Sequence, residues 1–415
     1  MDYRKRLVDQ QLQAALHRSG AVLIEGAKGC GKTSTAEQAA ASIVRVDVDP
    51  TVELYLHTEP ERVLQGATPR LLDEWQRQPM LWDLVRRAVD DRHTPGQFIL
   101  TGSATPDATT PRHSGAGRFS VLRMRPMTLR EAGLSDATIS LNHVRQGGHQ
   151  DSEPGPYGLK EWAEIIGRGG WPSTLDQNLA DALDYVVDYL TLIAETDVSQ
   201  VAGMRRDPNK VTRLLASLAR STATEASITT LSRDAVGANG ALNRETVSGY
   251  LDVLERLMVI EPMPAWQTAL RDSARLRQAP TWHFVDPSLA VAAMGATPDR
   301  LVAEPKTLGL LFESLAVRDL RAYAALHRGK VYHARDSAGR EVDAIIEYPD
   351  GWMACEIKLG LGQVDDAAQK LTAFADAVDT QTVGPCLARV VIIGIGPGYR
   401  RPDGVLVIPL ASLCP

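Results

Sequence analysis

Cysteine is scarce and unpaired in this chain of 415 residues: Cys30, Cys355, Cys386 and Cys414 are scattered, with no two at zinc-ligand spacing. That pattern excludes a disulfide framework and a structural metal finger, and it fits a reducing interior. Long apolar runs are missing too. No stretch approaches the ~18 apolar residues of a membrane span. The opening segment MDYRKRLVDQQLQAAL interrupts its apolar residues with charges and amides, so it lacks the unbroken core of a signal peptide. The expectation is a cytoplasmic protein with no membrane partner. Excess positive charge is also absent. A formal net charge of −6 argues against nucleic acid coating the whole surface, while leaving room for a local basic cleft. There is no internal repeat.

What is present has the balance of a globular protein, with 44% hydrophobic and 23% charged residues. The length exceeds one ordinary core and implies roughly two to four compact units.

Strand-like and helix-like runs alternate at the start of the chain: Ala21 to Glu25, a Ser/Thr/Ala-rich helix from Lys32, Ile43 to Asp47, and Gln97 to Thr101. That rhythm predicts a parallel sheet flanked by helices. Ser103 to Arg118 (SATPDATTPRHSGAGR) and Gln146 to Gly158 read as loops, the first of them mobile. The pattern is then helical to about Met204, including Ala180 to Thr196 with its apolar residues at helical spacing. Val211 to Pro262 gives three helices and a strand-like MVIEP, the outline of a winged helix. From Lys306 come a helix, the strands KVYHAR, REVDAIIEY and WMACEIKL, a helix and the strand RVVIIGIG. The expected fold class is therefore multidomain α/β: a P-loop core over 1–125, a helical lid over 126–205, a winged helix over 206–265 and an α/β domain over 266–415.

The segment AVLIEGAKGCGKTSTAEQAA holds GxxxxGKT after an apolar strand and before a helix. Glycines let backbone N–H groups close around phosphates, and the following helix adds partial positive charge. Gly26, Ala27, Lys28, Gly29, Cys30, Gly31, Lys32, Thr33 and Ser34 are expected to line a triphosphate, ATP with Mg²⁺. Lys32 would reach the β- and γ-phosphates and Thr33 would ligate the metal. PRLLDEWQ supplies Asp73 to hold Mg²⁺ through its water shell and Glu74 to polarise the attacking water. FILTGSA ends a strand with Thr101, Gly102 and Ser103, where a polar side chain could touch the γ-phosphate or water; the other reading of Ser103 is a cap or turn. Arg118 either reaches a neighbouring nucleotide as an arginine finger or faces water, which leaves oligomerisation open.

The ordered set GAKGCGKT, LLDEWQ, ILTGSA, GAGRF, RPMTLREAG, GGWPSTL and EVDAIIEY with EIKL resembles a broad family of bacterial and archaeal AAA-like ATPases. Their C-terminal half is a domain of unknown function with a restriction-endonuclease-like core. By this resemblance Gly26, Gly31, Lys32 and Thr33 match the Walker A positions, Asp73 and Glu74 Walker B, and Arg118 the Gly-Arg step. Trp75 stands where an aliphatic residue is common. Membership of such a family implies ATP binding.

Strand alternation puts Glu356 and Lys358 on one side of ACEIK, and antiparallel pairing would bring Asp343 beside Glu356. With Glu313 from the preceding helix, the set Glu313, Asp343, Glu356 and Lys358 resembles the PD-(D/E)xK nucleases. There the carboxylates bind one or two Mg²⁺ ions and the lysine steadies developing charge. The alternative is an exposed strand pair with Glu–Lys cross-talk. Gln369 is a further candidate for contact with DNA or metal-bound water. In the three-helix region Arg233, Asn243, Arg244 and Arg256 are candidates for phosphate or base contacts, with packing or protein docking as the other reading. Two functions are carried forward: nucleotide-gated action on DNA, and a regulatory ATPase that holds protein partners.

Overall fold

The computed structural model describes residues 3–103, 114–203, 206–235, 240–267, 279–335 and 339–415. The chain forms two compact units: Met1–Pro126 with Asp197–Arg206 and Asp252–Val259, and Met127–Thr196 with Asp207–Leu251 and Ile260–Pro415. Residues 104–113, within the stretch expected as a mobile loop, lie outside the described residues.

The first unit begins with α1 (Leu7–Arg18), β1 (Ala21–Gly26), α2 (Lys32–Glu37), β2 (Ser42–Arg45) and α3 (Pro50–Thr58). It continues with β3 (Arg70–Asp73), α4 (Leu81–Arg92), β4 (Phe98–Gly102) and β5 (Phe119–Met124). The five strands are parallel in the order β2-β3-β4-β1-β5, so β1 lies between β4 and β5. Ala21–Ile24 and Phe98–Leu100 are buried without alternation, as strands covered on both faces must be. One face packs on Leu81, Trp82 and Val85, the i, i+1 and i+4 stripe of α4, and the other on Val8, Leu12 and Ala15 of α1. Trp75 belongs to the first of these clusters. Its ring lies 5.2 Å from Trp82, which in turn stacks on Phe119 at 4.0 Å. The large aromatic where an aliphatic is common is thus a core residue.

Beyond β5 come α5 (Leu129–Ala132), β6 (Ile139–Ser140), α6 (Leu141–Arg145), α7 (Leu159–Arg168) and α8 (Leu179–Leu192). A π-helical turn, Ile193–Asp197, then leads into α9 (Val198–Val201). Next are α10 (Pro208–Arg220), α11 (Ile228–Asp234), α12 (Arg244–Arg256), α13 (Pro287–Ala293), α14 (Pro298–Ala303) and α15 (Pro305–Ala325). The chain closes with β7 (Lys330–Arg335), β8 (Glu341–Tyr348), β9 (Gly351–Lys358), α16 (Val364–Ala377), α17 (Thr380–Val383), β10 (Cys386–Ile393), β11 (Tyr399–Arg400), β12 (Leu406–Pro409) and β13 (Leu413–Cys414).

In the second unit a mixed sheet runs β11-β12-β10-β9-β8-β7, with β7, β8 and β9 antiparallel and β9, β10 and β12 parallel. Val364, Ala367, Ala368, Leu371 and Phe374, spaced three or four apart on α16, bury against Trp352 and Ile345 of the sheet. Residues 126–205, expected to be helical, also hold a strand: β6 pairs in parallel with β13, Ile139 opposite Leu413. The strand-like segment expected after α12 takes the form of isolated bridges, Ile260 with Phe284 and, just beyond it, Met263 with Thr281.

A polar hub sits inside this unit. Arg318 on α15 contacts Asp286 at 2.7 Å and Asp319 at 2.8 Å, all three buried. Asp319 accepts the Leu129 amide at 2.9 Å, and Asp286 accepts the Gly170 amide at 3.0 Å. Burial alone would lower the Arg318 pKa; the two carboxylates more than offset it and raise it.

Candidate functional site

The loop between β1 and α2 is shaped by its glycines. Gly29 and Gly31 have φ of 73° and 100°, the left-handed region that favours glycine. At Gly26 a Cβ would sit 2.3 Å from the Met124 carbonyl oxygen, so no side chain fits. Arg6, buried beneath the loop, donates to the carbonyls of Cys30 at 2.7 Å and Arg125 at 2.8 Å. That brace was not legible in the motif.

Inside the loop the Lys32 ammonium donates to the carbonyls of Gly26 at 2.9 Å and Ala27 at 3.0 Å. The Thr33 hydroxyl donates to Asp73 Oδ1 at 2.8 Å, and Thr101 donates to the same oxygen. One carboxylate at the end of β3 is thus held by hydroxyls from α2 and β4, at the carboxyl edge of the parallel sheet where ligands of such sheets bind. A hydroxyl and a carboxylate side by side are hard oxygen donors, the set that suits Mg²⁺. Glu74 has φ of 55° and accepts from the Ser103 hydroxyl at 3.1 Å and from Gln76. Sequence reasoning placed Thr101 and Ser103 at the phosphate end of the strand but missed the Thr101 bond to Asp73 and the part played by Gln76. Cys30 is buried with its thiol toward the Met124 carbonyl at 3.7 Å. Lys28 extends to Asp197 at 2.6 Å. Ser34 lies within α2.

Arg118 is paired with Asp90 on α4 at 2.8 Å, and its hydrogen bond holds the Asp90 carboxyl below the usual range.

A family model described as an AAA domain matches residues 18–133, the stretch that holds this sheet and loop. That match and the parallel sheet support an AAA-like P-loop ATPase domain over this part of the chain. Two further models follow this ATPase domain, a Domain of unknown function (DUF8612) over residues 159–300 and a Domain of unknown function (DUF4143) over residues 308–413. Uncharacterized proteins of Mycobacterium bovis and Mycobacterium tuberculosis are each 27% identical over 355 residues, 84% of this chain and 72% of theirs. Among the described residues no helix is long and apolar enough to cross a membrane.

In the second unit β8 and β9 pair so that Ala344 faces Cys355, and the next step of that register sets Asp343 against Glu356. Asp343 Oδ2 accepts the Ile357 amide and the Lys358 ammonium, each at 2.8 Å, and Lys358 also contacts Glu356 at 2.6 Å. Burial, then Asp343, pushes the Glu356 carboxyl up to about 7, with Lys358 pulling the other way. Glu313 on α15 is raised well above the usual value, first by its enclosure and then by Asp343. Burial would depress the Lys358 pKa, but Asp343 and Glu356 raise it. The structure therefore brings the four residues into one electrostatic group. It does not converge the carboxylates into a ready ligand set: among the described residues no group of three or more His, Cys, Asp or Glu side chains could hold a metal ion as it stands.

A cavity of about 410 Å³ adjoins this group, lined by Glu225, Glu313, His333, Arg335, Glu341 and Asp343 among others. Glu225 carried no sequence signal, because it comes from the turn before α11, far from the strands in sequence; His333 and Arg335 lie on β7, a strand expected from the sequence but not singled out for these side chains. Burial lowers the His333 pKa to about 4. Gln369 is exposed on α16. Arg233, Asn243 and Arg244 are exposed; Asn243 accepts the Glu245 amide at 2.9 Å at the start of α12. Arg256 donates to the Val201 carbonyl at 3.3 Å and pairs with Asp252 at 3.7 Å, within the first unit.

Proposed function

We propose that the chain is a Mg²⁺-dependent ATPase whose nucleotide state controls a C-terminal carboxylate–lysine centre acting on DNA. The observation that carries the nucleotide half is the hydrogen bond from Thr33 to Asp73 beside the Lys32 ammonium. On binding of a triphosphate, Lys32 exchanges the Gly26 and Ala27 carbonyls for phosphate oxygens, and the loop amides close on the same anion. Thr33 and Asp73 would hold Mg²⁺, which neutralises charge on the β- and γ-phosphates when bound. Glu74, steadied by Ser103, orients and deprotonates the attacking water. Arg118, exchanging Asp90 for phosphate, serves a neighbouring copy.

For the second half, the strands β7–β10 with α15 and α16 are read as a restriction-endonuclease-like core, and α10–α12 with the bridges that follow as a winged helix presenting Arg233 and Arg244 to DNA. Glu313, Asp343 and Glu356 would have to draw together to hold Mg²⁺; burial first, and repulsion from Asp343 second, raise the pKa values of Glu313 and Glu356, and a divalent cation would relieve that repulsion. Lys358 steadies charge developing on the phosphate. Cleavage of plasmid and single-stranded DNA with Mg²⁺, with and without ATP, tests this half: cleavage lost in Asp343→Ala is expected, and no cleavage and no gel shift under either condition removes DNA from the reading.

One observation favours the rival, a regulatory ATPase holding protein partners through a degenerate centre: Lys358 already neutralises both Asp343 and Glu356 by direct contact. Under that reading Asp343→Ala leaves the cellular phenotype unchanged.

A further inference from the structure

The phosphate loop carries two lysines, and they are held differently. Lys32 rests on its own loop's carbonyls, whereas Lys28 reaches to Asp197, 169 positions further along, at 2.6 Å. The Lys28 side chain is 43% exposed and that of Asp197 only 9%. A carboxylate so enclosed is costly unless a cation compensates it, and here the compensating cation comes from the loop that receives the nucleotide.

The setting of Asp197 is also irregular. It closes the π-helical turn Ile193–Asp197 that interrupts the helix between α8 and α9. Such turns break the regular bonding pattern and occur often at functional sites. At Asp197 the chain returns from the second unit to the first, so the backbone joining the two passes through the residue bonded to Lys28.

We infer that Asp197 is a positioning residue for Lys28: its carboxylate holds the ammonium while no nucleotide is bound and yields it to the terminal phosphate of ATP. This rests on nucleotide binding at the loop and adds its regulation. A triphosphate brings several negative charges to the mouth where Asp197 offers one, so the two compete for Lys28. Once Lys28 turns to phosphate, the π-helical turn loses its tether, and the presence of the terminal phosphate is registered in the backbone leading to α8.

Isothermal titration of the full chain with Mg·ATPγS and Mg·ADP tests the inference. Removing the competitor in Asp197→Asn should tighten ATPγS binding by about two- to fivefold, the scale of a partly exposed ion pair, with a smaller effect on ADP. Asp197→Glu should restore wild-type affinity. In a Lys28→Met background Asp197→Asn should change nothing, because the two residues act as one pair. Hydrogen exchange over 193–203 should rise in the wild type on adding ATPγS. An Asp197→Asn effect that is absent, of opposite sign, or persistent in the Lys28→Met background overturns the proposal. Should Asp197→Asn fold poorly, Lys28→Gln tests the same pair from its exposed side: exchange over 193–203 should be raised without nucleotide, and unchanged exchange overturns the inference. Failure of the wild type to take up either nucleotide would overturn the nucleotide reading itself, a result distinct from those above.

Discussion

The Thr33 hydroxyl donates to Asp73 Oδ1 at 2.8 Å, joining the residue after the loop lysine to the end of a strand 40 positions away. Lys32→Ala should abolish nucleotide binding, since Lys32 is the buried cation of the loop. Asp73→Asn should instead leave binding measurable without Mg²⁺ and remove the Mg²⁺-dependent gain. Titrations with and without Mg²⁺ separate the two; equal metal dependence in Asp73→Asn and wild type would rule out the assigned role.

Glu74 accepts from Ser103 and Gln76, whereas the Asp73 carboxylate is held by Thr33 and Thr101. Glu74→Gln should therefore keep ATP affinity while slowing phosphate release by ~10²- to 10⁴-fold, the range of a general base. Undiminished turnover would show that another group handles the water.

The titration of Glu356 gives stability a pH dependence. Its folded-state pKa of about 7 exceeds the usual 4.5, so the native state holds the proton more tightly than the unfolded chain. That contribution is fully present below about 4.5 and lost as the pH rises through about 7. Glu356→Gln has nothing to ionise. The variant's melting temperature, measured against wild type across this window without divalent metal, should gain steadily with pH; a constant difference would contradict the assigned shift.

Arg318 offers a test of the polar hub. Arg318→Met leaves Asp286 and Asp319 buried without their cation, and breaking such a pair costs about 3–5 kcal/mol. Chemical denaturation monitored in the second unit should register the loss. The triple replacement Asp286→Asn, Asp319→Asn and Arg318→Met should recover part of it, and no recovery would argue that hydrogen bonds to Leu129 and Gly170 carry the stability instead.

The sequence made the parallel sheet and the phosphate loop legible because both are local: Gly26 to Thr33 lie together in the chain and the apolar runs around them have one period. The β8–β9 register was legible for the same reason, since strand alternation and a short connection leave few ways to pair Asp343. What stayed hidden depends on distant partners. Arg6 under the loop, Thr101 on Asp73, Asp197 on Lys28 and Glu225 beside the C-terminal carboxylates are ordinary polar residues whose roles arise only when remote segments meet. Arg118 shows the converse. Its position after the loop left a neighbouring nucleotide and solvent both open, and the folded chain gives it Asp90, an acidic residue of α4 that no spacing rule connects to it.

The short pairing of β6 with β13 has a bearing on how the protein comes to be folded. Ser135 donates to the Leu413 carbonyl across 278 positions, next to the paired strands. During synthesis the segment around Ile139 emerges long before its partner exists, and closing so large a loop is slow. That part of the second unit has to wait, unpaired, until Leu413 has left the ribosome, whereas the parallel sheet of the first unit has all five of its strands by Met124.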